Sequence, residues 1–527
     1  MGSTMSYDYV VVGAGTAGCV LATRLTENEN VRVLLLEAGA RDPLELMAVP
    51  GAWPALMGST ADWGGTTVVQ TSTGTAIPTP RGRGLGGSSS INGLNFIRGH
   101  RSSYDVWPEQ GAMGWGFDDL LPYMRRSETA WGHDPALRGQ DGPLTVGPPV
   151  EPHPLVAACV DAAVETGHAR ADDISGGVET GFGWCDNNIA DGARQSAADA
   201  YLRPAMSRAN LDVVTDALVL RLVVADGRCR GVEYAKDGET RSVECAEEVV
   251  VTAGTIGSAQ LLLLSGIGPA DHLRAVGVDV VLDLPGVGAN LHDHPMSTVT
   301  YTARRAVPRN MGNPPGEAMG TVRTGAGAGA GAGADLAVPD LQILFASLPY
   351  RAPSLPGPEN GYTIAFSAVN PQSRGSVRLA SAEAGTAPLV DPDYLGDSRD
   401  IETMRTGLRV ARRIGAADAL GAWRDEEALP GPGITDDEDA VRDYLGRSLL
   451  IYYHYVGTCR IGPDGTTAVV DPELRVRGVT GLRVADASVM PSIVCSNTNA
   501  GVYAIAERAA ALIKGETLVK GQTEVIS

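Results

Sequence analysis

Tyr9-Val-Val-Val, a run of β-branched and aromatic residues, stops at Gly13-Ala-Gly15-Thr-Ala-Gly18 and gives way to a stretch with Ala17, Leu21 and Leu25 on one helical stripe. Val31-Arg-Val-Leu-Leu-Leu-Glu37 then reads as a second strand. Strand, glycine turn, helix and parallel strand form the unit that seats the pyrophosphate of a dinucleotide on a helix N-terminus. Gly13 permits the tight turn, Gly15 lets the backbone approach phosphate, and Gly18 lets the helix lie close on the strand. Glu37 follows Gly18 by 19 positions, where a carboxylate can accept hydrogen bonds from ribose hydroxyls. The pattern predicts a dinucleotide with a plain ribose rather than a 2′-phosphate. By itself it does not separate FAD from NAD.

The chain has 527 residues, enough for about two to four domains. Its net charge of −20 repels phosphate backbones and anionic lipid heads, so nucleic acid and membrane-surface partners are not expected. No apolar run approaches the ~18 residues of a membrane span. The first apolar segment is the Tyr9 strand, so no secretory signal is read, and Met1 to Thr4 are set aside as an expression remnant. Cys19, Cys159, Cys185, Cys229, Cys245, Cys459 and Cys495 form no CxxC pair, which predicts free thiols in a reducing cytoplasm. No metal is expected: His292-Asp-His294 is an HxH without a further cluster and reads as loop structure.

Along the chain, a Pro- and Gly-rich seam lies at His133 to Pro154. Leu211 to Val224 reads as one strand, turning at Asp226-Gly227 into Gly231 to Ala235. Glu248 to Thr252 reads as a strand followed by a helix through Leu264 that Gly266 stops. Gly325 to Ala334 is a Gly-Ala repeat expected to form a mobile loop. Leu341 to Phe345, Tyr362 to Ala368 and Gly375 to Leu379 are expected to be strands of a second sheet, and Asp400 to Ile414 a helix. Gly481 to Asp486 is a further strand, and Asn499 to Lys514 a helix with Val502, Ile505, Ala509 and Leu512 on one face.

Taken together, these motifs resemble the glucose–methanol–choline (GMC) oxidoreductases, FAD-dependent oxidases and dehydrogenases of alcohols. Gly82-Arg-Gly-Leu-Gly86-Gly-Ser-Ser-Ser-Ile-Asn92-Gly-Leu-Asn95 is similar to the family's first signature, and Gly254-Thr-Ile-Gly-Ser258 through Gly268 to its second. Ala259 departs from the second, where the family usually has Pro or Ser. Val287 to Pro295 and Val484 to Pro491 match two further family segments. The resemblance implies an α/β fold: a Rossmann-like FAD-binding domain of the three-layer ββα type, with an inserted α+β substrate-binding domain built on an antiparallel sheet. The expected division gives residues 5–154, 206–295 and 446–520 to the FAD domain, the last carrying the catalytic pair, and 155–205 and 296–445 to the substrate domain.

By the same resemblance FAD is the cofactor. Its site is expected to include Gly13, Gly15, Thr16, Ala17, Gly18, Glu37 and Ala38, then Trp63, Arg83, Gly86, Gly87, Ser88, Asn92, Gly93, Leu94 and Asn95. Val219 is expected to meet the adenine, Asp486 to approach the pyrophosphate, and Ala253, Gly254, Tyr453, Ala487 and Asn499 to complete the site. The run Gly84 to Ser90 offers backbone N–H groups able to wrap a diphosphate. Ile91 stands where members with a covalent flavin have histidine, which predicts non-covalent FAD.

Oxidising an alcohol removes a proton from oxygen and a hydride from carbon. Histidine, with an ordinary pKa near 6.5, suits the first task, and flavin N5 accepts the second. Of eight histidines, His454 resembles the family's catalytic one, beside Tyr455 where a typical member has proline. The second catalytic position, His or Asn in the family, falls on Asn497, which can orient an oxygen but cannot act as a base. Asn499 is expected to cap the following helix, whose N-terminus would stabilise an anionic reduced flavin. The expected reaction is oxidation of a primary alcohol, of aryl or furfuryl type, to its aldehyde, with oxygen or another acceptor taking the electrons. The alternatives are a choline-type alcohol and hydroxynitrile lysis on the same fold. Tyr452, Tyr453 and Tyr455 suit a flat substrate or a cation.

Overall fold

Val10 and Val11 are wholly buried because their strand, Tyr7–Val12, lies inside a parallel array, paired to Val33–Leu36 on one side and Glu239–Val251 on the other. The array is extended by Leu211–Val214 at one edge and Leu482–Val484 at the other. A strand covered on both faces needs a continuous apolar run, and Val33-Leu-Leu-Leu36 supplies one, four buried residues in succession. The same sheet continues antiparallel through Arg228–Lys236 and Leu218–Ala225. The computed structural model describes residues 7–41, 44–325, 338–464 and 466–516. Met1 to Thr4, and the Gly-Ala repeat beyond Gly325, lie outside the described residues.

Gly13 makes the predicted turn with φ of +100°, and Gly18 lies so close under it that a Cβ would collide with the Gly13 carbonyl. The helix Thr16–Leu25 therefore starts directly at the strand end. It packs against the last helix, Asn499–Lys514, although some 480 residues separate them in sequence. Glu507, fully buried, accepts hydrogen bonds from Arg24 at 2.8–3.0 Å and from Tyr201 at 2.8 Å. Removing one partner of such a pair typically costs about 3–5 kcal/mol, because it leaves a buried charge uncompensated.

A second, wholly antiparallel sheet contains Gly181–Trp184, Ala318–Val322, Leu341–Ala346, Gly361–Ala368, Pro295–Ala303 and Arg424–Leu429, with Leu450–Ile451 paired to Pro295–Met296. The helix Ser398–Ala416 covers it. The chain is thus an α/β protein with a Rossmann-type sheet and a second antiparallel one.

Two elements differ from expectation. Leu211 to Val224 is broken at Asp216 (φ +54°), where the N–H groups of Asp216 and Ala217 donate to the carbonyls of Gly39 and Glu37. Its two halves, Leu211–Val214 and Leu218–Ala225, pair with different partners. The strand Ser376–Arg378 does not join the second sheet; it pairs with Leu389–Asp391 in a separate two-stranded ladder. Among the described residues one group of three possible metal ligands comes together, His133, Asp173 and Asp186. The Arg138 guanidinium occupies it, 2.9 Å from Asp173 and 2.7 Å from Asp186, which makes it an ion-pair network.

Candidate active site

A cavity of about 700 Å³ runs from the Gly13 turn to the second sheet. Four distant parts of the chain build its cofactor-side wall: the first helix start at Gly15 to Ala17, the segment Arg81 to Asn95, the helix start at Ala253 to Gly257, and Asn497 to Asn499. The far end is aromatic and aliphatic, with Trp53, Met57, Leu344, Tyr350, Tyr452 and Tyr453 among its walls.

His454 and Asn497 meet in this cavity, with Asn497 Nδ2 3.2 Å from His454 Nε2. The Asn497 amide oxygen is buried without a hydrogen-bond partner, a free acceptor beside the imidazole. The His454 ring is stacked on Tyr452, 4.9 Å between centroids and 9° from parallel. Burial pulls the His454 pKa down to about 3, so the ring is neutral near pH 7. Its backbone N–H donates to Asp293 Oδ1 at 2.7 Å, and Tyr394 Oη donates to the other oxygen of that carboxyl. Burial raises the Asp293 pKa to about 7, outweighing these hydrogen bonds. Tyr453, next to His454, has φ of +63°, a conformation a non-glycine residue adopts rarely, and it turns the chain so that both side chains reach the cavity.

Of the residues expected at the cofactor, all but two line this cavity. Gly18 and Gly86 stand behind it: Gly18 under the Gly13 turn, Gly86 donating its N–H to the Ala14 carbonyl at 2.8 Å. Trp63 is at the rim, 42% exposed, with Arg83 5.1 Å from its ring centroid. Asn92 accepts from Leu94 N–H and Arg194, and Asn95 donates to the Gly316 carbonyl, which joins the first signature to the second sheet. Asp486 accepts from Gly254 N–H at 2.8 Å, Ser258 Oγ at 2.5 Å and Ser488 N–H at 2.8 Å, clamping two helix starts. Asn499 does not cap its helix as expected. Its Oδ1 accepts from Thr16 Oγ1 at 2.9 Å, and the N-cap position is Thr498.

The sequence reading missed Asp293 and His294, which lie directly behind His454, and the aromatic chamber of Trp53 and Tyr350. The signal for the first two was the HxH itself: the segment pairs antiparallel with 452–456, His292 and Val456 exchanging backbone hydrogen bonds at 3.1 Å.

The cavity suits FAD on its own evidence. Neither Thr16–Leu25 nor Asn499–Lys514 has a side-chain cap, so two sets of first-turn N–H groups are left without side-chain acceptors where the cavity begins and where His454 stands. Glu37 lines it too. Its Oε1 accepts from Gly39 and Gly84 N–H and its Oε2 from Ala14 N–H alone, leaving capacity on Oε2 for a hydroxyl donor. Among the described residues no helix is long and apolar enough to cross a membrane.

The GMC oxidoreductase family models match residues 7–296 with the N-terminal part and 371–506 with the C-terminal part. The mitochondrial choline dehydrogenase of Homo sapiens is 40% identical over 97% of this chain and 90% of its own length. The crystal structure of pyridoxine 4-oxidase from Mesorbium loti superposes with a TM-score of 0.91 at 36% identity, covering 97% of this chain and 99% of that one. A fungal aryl-alcohol oxidase superposes with a TM-score of 0.84 at 25% identity, covering 96% and 98%. Family match, fold and cofactor-shaped cavity agree: the chain belongs to the GMC oxidoreductase family and is an FAD-dependent oxidoreductase.

Proposed function

We propose that the chain oxidises a neutral primary alcohol carrying an aromatic group to its aldehyde, with His454 as the base and Asn497 as the orienting amide. The observation that carries this reading is the charge of the chamber. Among the described residues the carboxylates lining the cavity are Glu37 and Asp486, and both are tied to backbone N–H groups on the cofactor side. The walls around Tyr452 and Tyr350 are apolar and aromatic and offer a quaternary ammonium no carboxylate as counter-ion, which leaves a flat uncharged ring the better fit.

When bound, FAD supplies the acceptor for the hydride that leaves the carbinol carbon. The uncapped start of Thr16–Leu25 would hold the diphosphate, Glu37 the ribose, and Val219 the adenine, with Asp486 keeping Gly254 and Ser488 in place. At the other end Asn497 donates to the substrate oxygen, and the neutral His454 Nε2 takes the hydroxyl proton as the O–H bond breaks. Ile91 is buried with Met47, Leu56 and Ala61 and carries no nucleophile, so the cofactor is held without a covalent link. Acid precipitation should release intact yellow cofactor, and retention on the protein would refute this.

The choline-type alternative rests on the name of the human relative and on the tyrosines, which can face a cation. The pyridoxine and aryl-alcohol oxidases are named for aromatic alcohols. Anaerobic mixing decides: benzyl alcohol should bleach the yellow holoenzyme faster than choline does. Faster bleaching by choline would overturn the neutral-substrate reading. Cleavage of mandelonitrile without bleaching by either alcohol would mark a lyase.

A further inference from the structure

The His292-Asp-His294 segment, which suggested only loop structure in the sequence, places a second imidazole against the proposed base. His294 Nδ1 lies 2.9 Å from His454 Nδ1, with the rings at 89° and 5.1 Å between centroids. His294 is fully buried, and Tyr452 meets its edge 6.4 Å away while stacking on His454. Two ring nitrogens at that distance require a single proton between them, so the pair has two arrangements and only one leaves a base at His454 Nε2.

The surrounding atoms select between them. With its Nδ2 set toward His454 Nε2 at 3.2 Å, the Asn497 amide is the donor there, which makes Nε2 the acceptor and puts the His454 proton on Nδ1. His294 Nδ1 is then the acceptor, and its own proton sits on Nε2. Burial holds the His294 pKa well below the usual histidine range, against the weaker pull of the Val369 and Val494 carbonyls, so the ring is neutral and carries one proton, on an Nε2 that completes no hydrogen bond of good geometry. In the reverse arrangement His454 Nε2 would carry a proton pointed at the Asn497 amide nitrogen, and it could not accept one from an alcohol.

We infer that His294 is a positioning residue: its Nδ1 accepts a hydrogen bond from His454 Nδ1–H and thereby fixes His454 in the tautomer whose Nε2 carries the lone pair, held by Asn497 Nδ2 until the alcohol oxygen takes that donor. No proton leaves His294 during the reaction. As the substrate O–H bond breaks, an N–H bond forms at His454 Nε2, and the charge of the resulting imidazolium is stabilised by the His294 Nδ1 lone pair through the bond already present. This rests on His454 being the base, and the experiment separates the two claims.

The test uses holoenzyme with [15N]histidine and the variants His454→Ala, His294→Ala and His294→Asn. In long-range 1H–15N spectra His454 should show a protonated Nδ1 and an unprotonated Nε2, and in His294→Ala this should become a mixture of tautomers. Anaerobic reduction by benzyl alcohol should slow on the order of 10²-fold in His294→Ala, with KM little changed. His294→Asn, whose Oδ1 can accept near the place of Nδ1, should recover most of the loss. An unprotonated Nδ1 in the wild type overturns the inference, as does wild-type speed in His294→Ala or an Asn variant as slow as Ala. If His454→Ala itself reduces normally, the base assignment fails while the spectra still decide the tautomer.

Discussion

The two ends of the cavity are built on opposite plans. At the Gly13 end the walls are backbone: a turn, the uncapped start of Thr16–Leu25, and carboxylates tied to N–H groups. At the His454 end the walls are side chains: Trp53 from the short 3-10 helix Pro50–Leu56, and Tyr350, Tyr452 and Tyr453 from loops that follow strands of the second sheet. A diphosphate presents the same oxygens in every complex, so fixed amides suffice to hold it. An alcohol's variable group must be met by surfaces that can change residue by residue. Cofactor identity therefore resides in the chain's path and substrate choice in its side chains.

Perturbing each end alone should separate the two plans. The largest effect is expected from His454→Ala, which should slow anaerobic flavin reduction by roughly 10²-fold or more with FAD content unchanged; unaltered reduction kinetics would remove His454 from the mechanism. Gly18→Ala acts at the opposite end, where a Cβ collides with the Gly13 carbonyl. It should lower FAD bound per chain about tenfold at limiting cofactor while leaving the alcohol chamber intact. Full FAD occupancy at wild-type affinity would show that the turn can relax. Trp53→Ala should raise KM for benzyl alcohol about tenfold with kcat little changed, in line with the loss of one aromatic contact. A fall in kcat alone would place Trp53 in the chemistry instead.

The smallest effect is a pH dependence. Folded Asp293 holds its proton up to about 7, against ~3.9 in an unfolded chain. The native state thus binds more protons than the unfolded one between those values, and the stability this contributes is lost as pH rises through 7. Asp293→Asn cannot ionise, so its urea midpoint relative to wild type should be higher at about pH 8 than at about pH 5. Equal differences at the two pH values would show that the carboxyl is ionised throughout.

The end made of backbone was legible in the sequence because its signals are contiguous: three glycines and Glu37 within 25 residues, then Gly82 to Asn95. The pairing of His454 with Asn497 was legible through resemblance. What stayed hidden depends on tertiary register. Asp293 and His294 lie some 160 positions from His454, and the antiparallel bridge between His292 and Val456 decides that they stand behind it. The break at Asp216 was hidden for the same reason: its N–H bonds to the Gly39 carbonyl, and nothing local in the apolar run announces that partner. Asn499 has a good capping side chain, yet Thr16 claims it, a tertiary bond overriding a local preference.

That bond between Thr16 and Asn499 has a consequence for biosynthesis. The first helix emerges early from the ribosome with its phosphate-binding face complete, but the opposite side of the same floor belongs to the last helix, which buries Glu507 against Arg24. Retention of the cofactor is therefore expected to require the helix Asn499–Lys514 in place. A nascent chain truncated before residue 499 should present the nucleotide turn and still fail to retain the flavin.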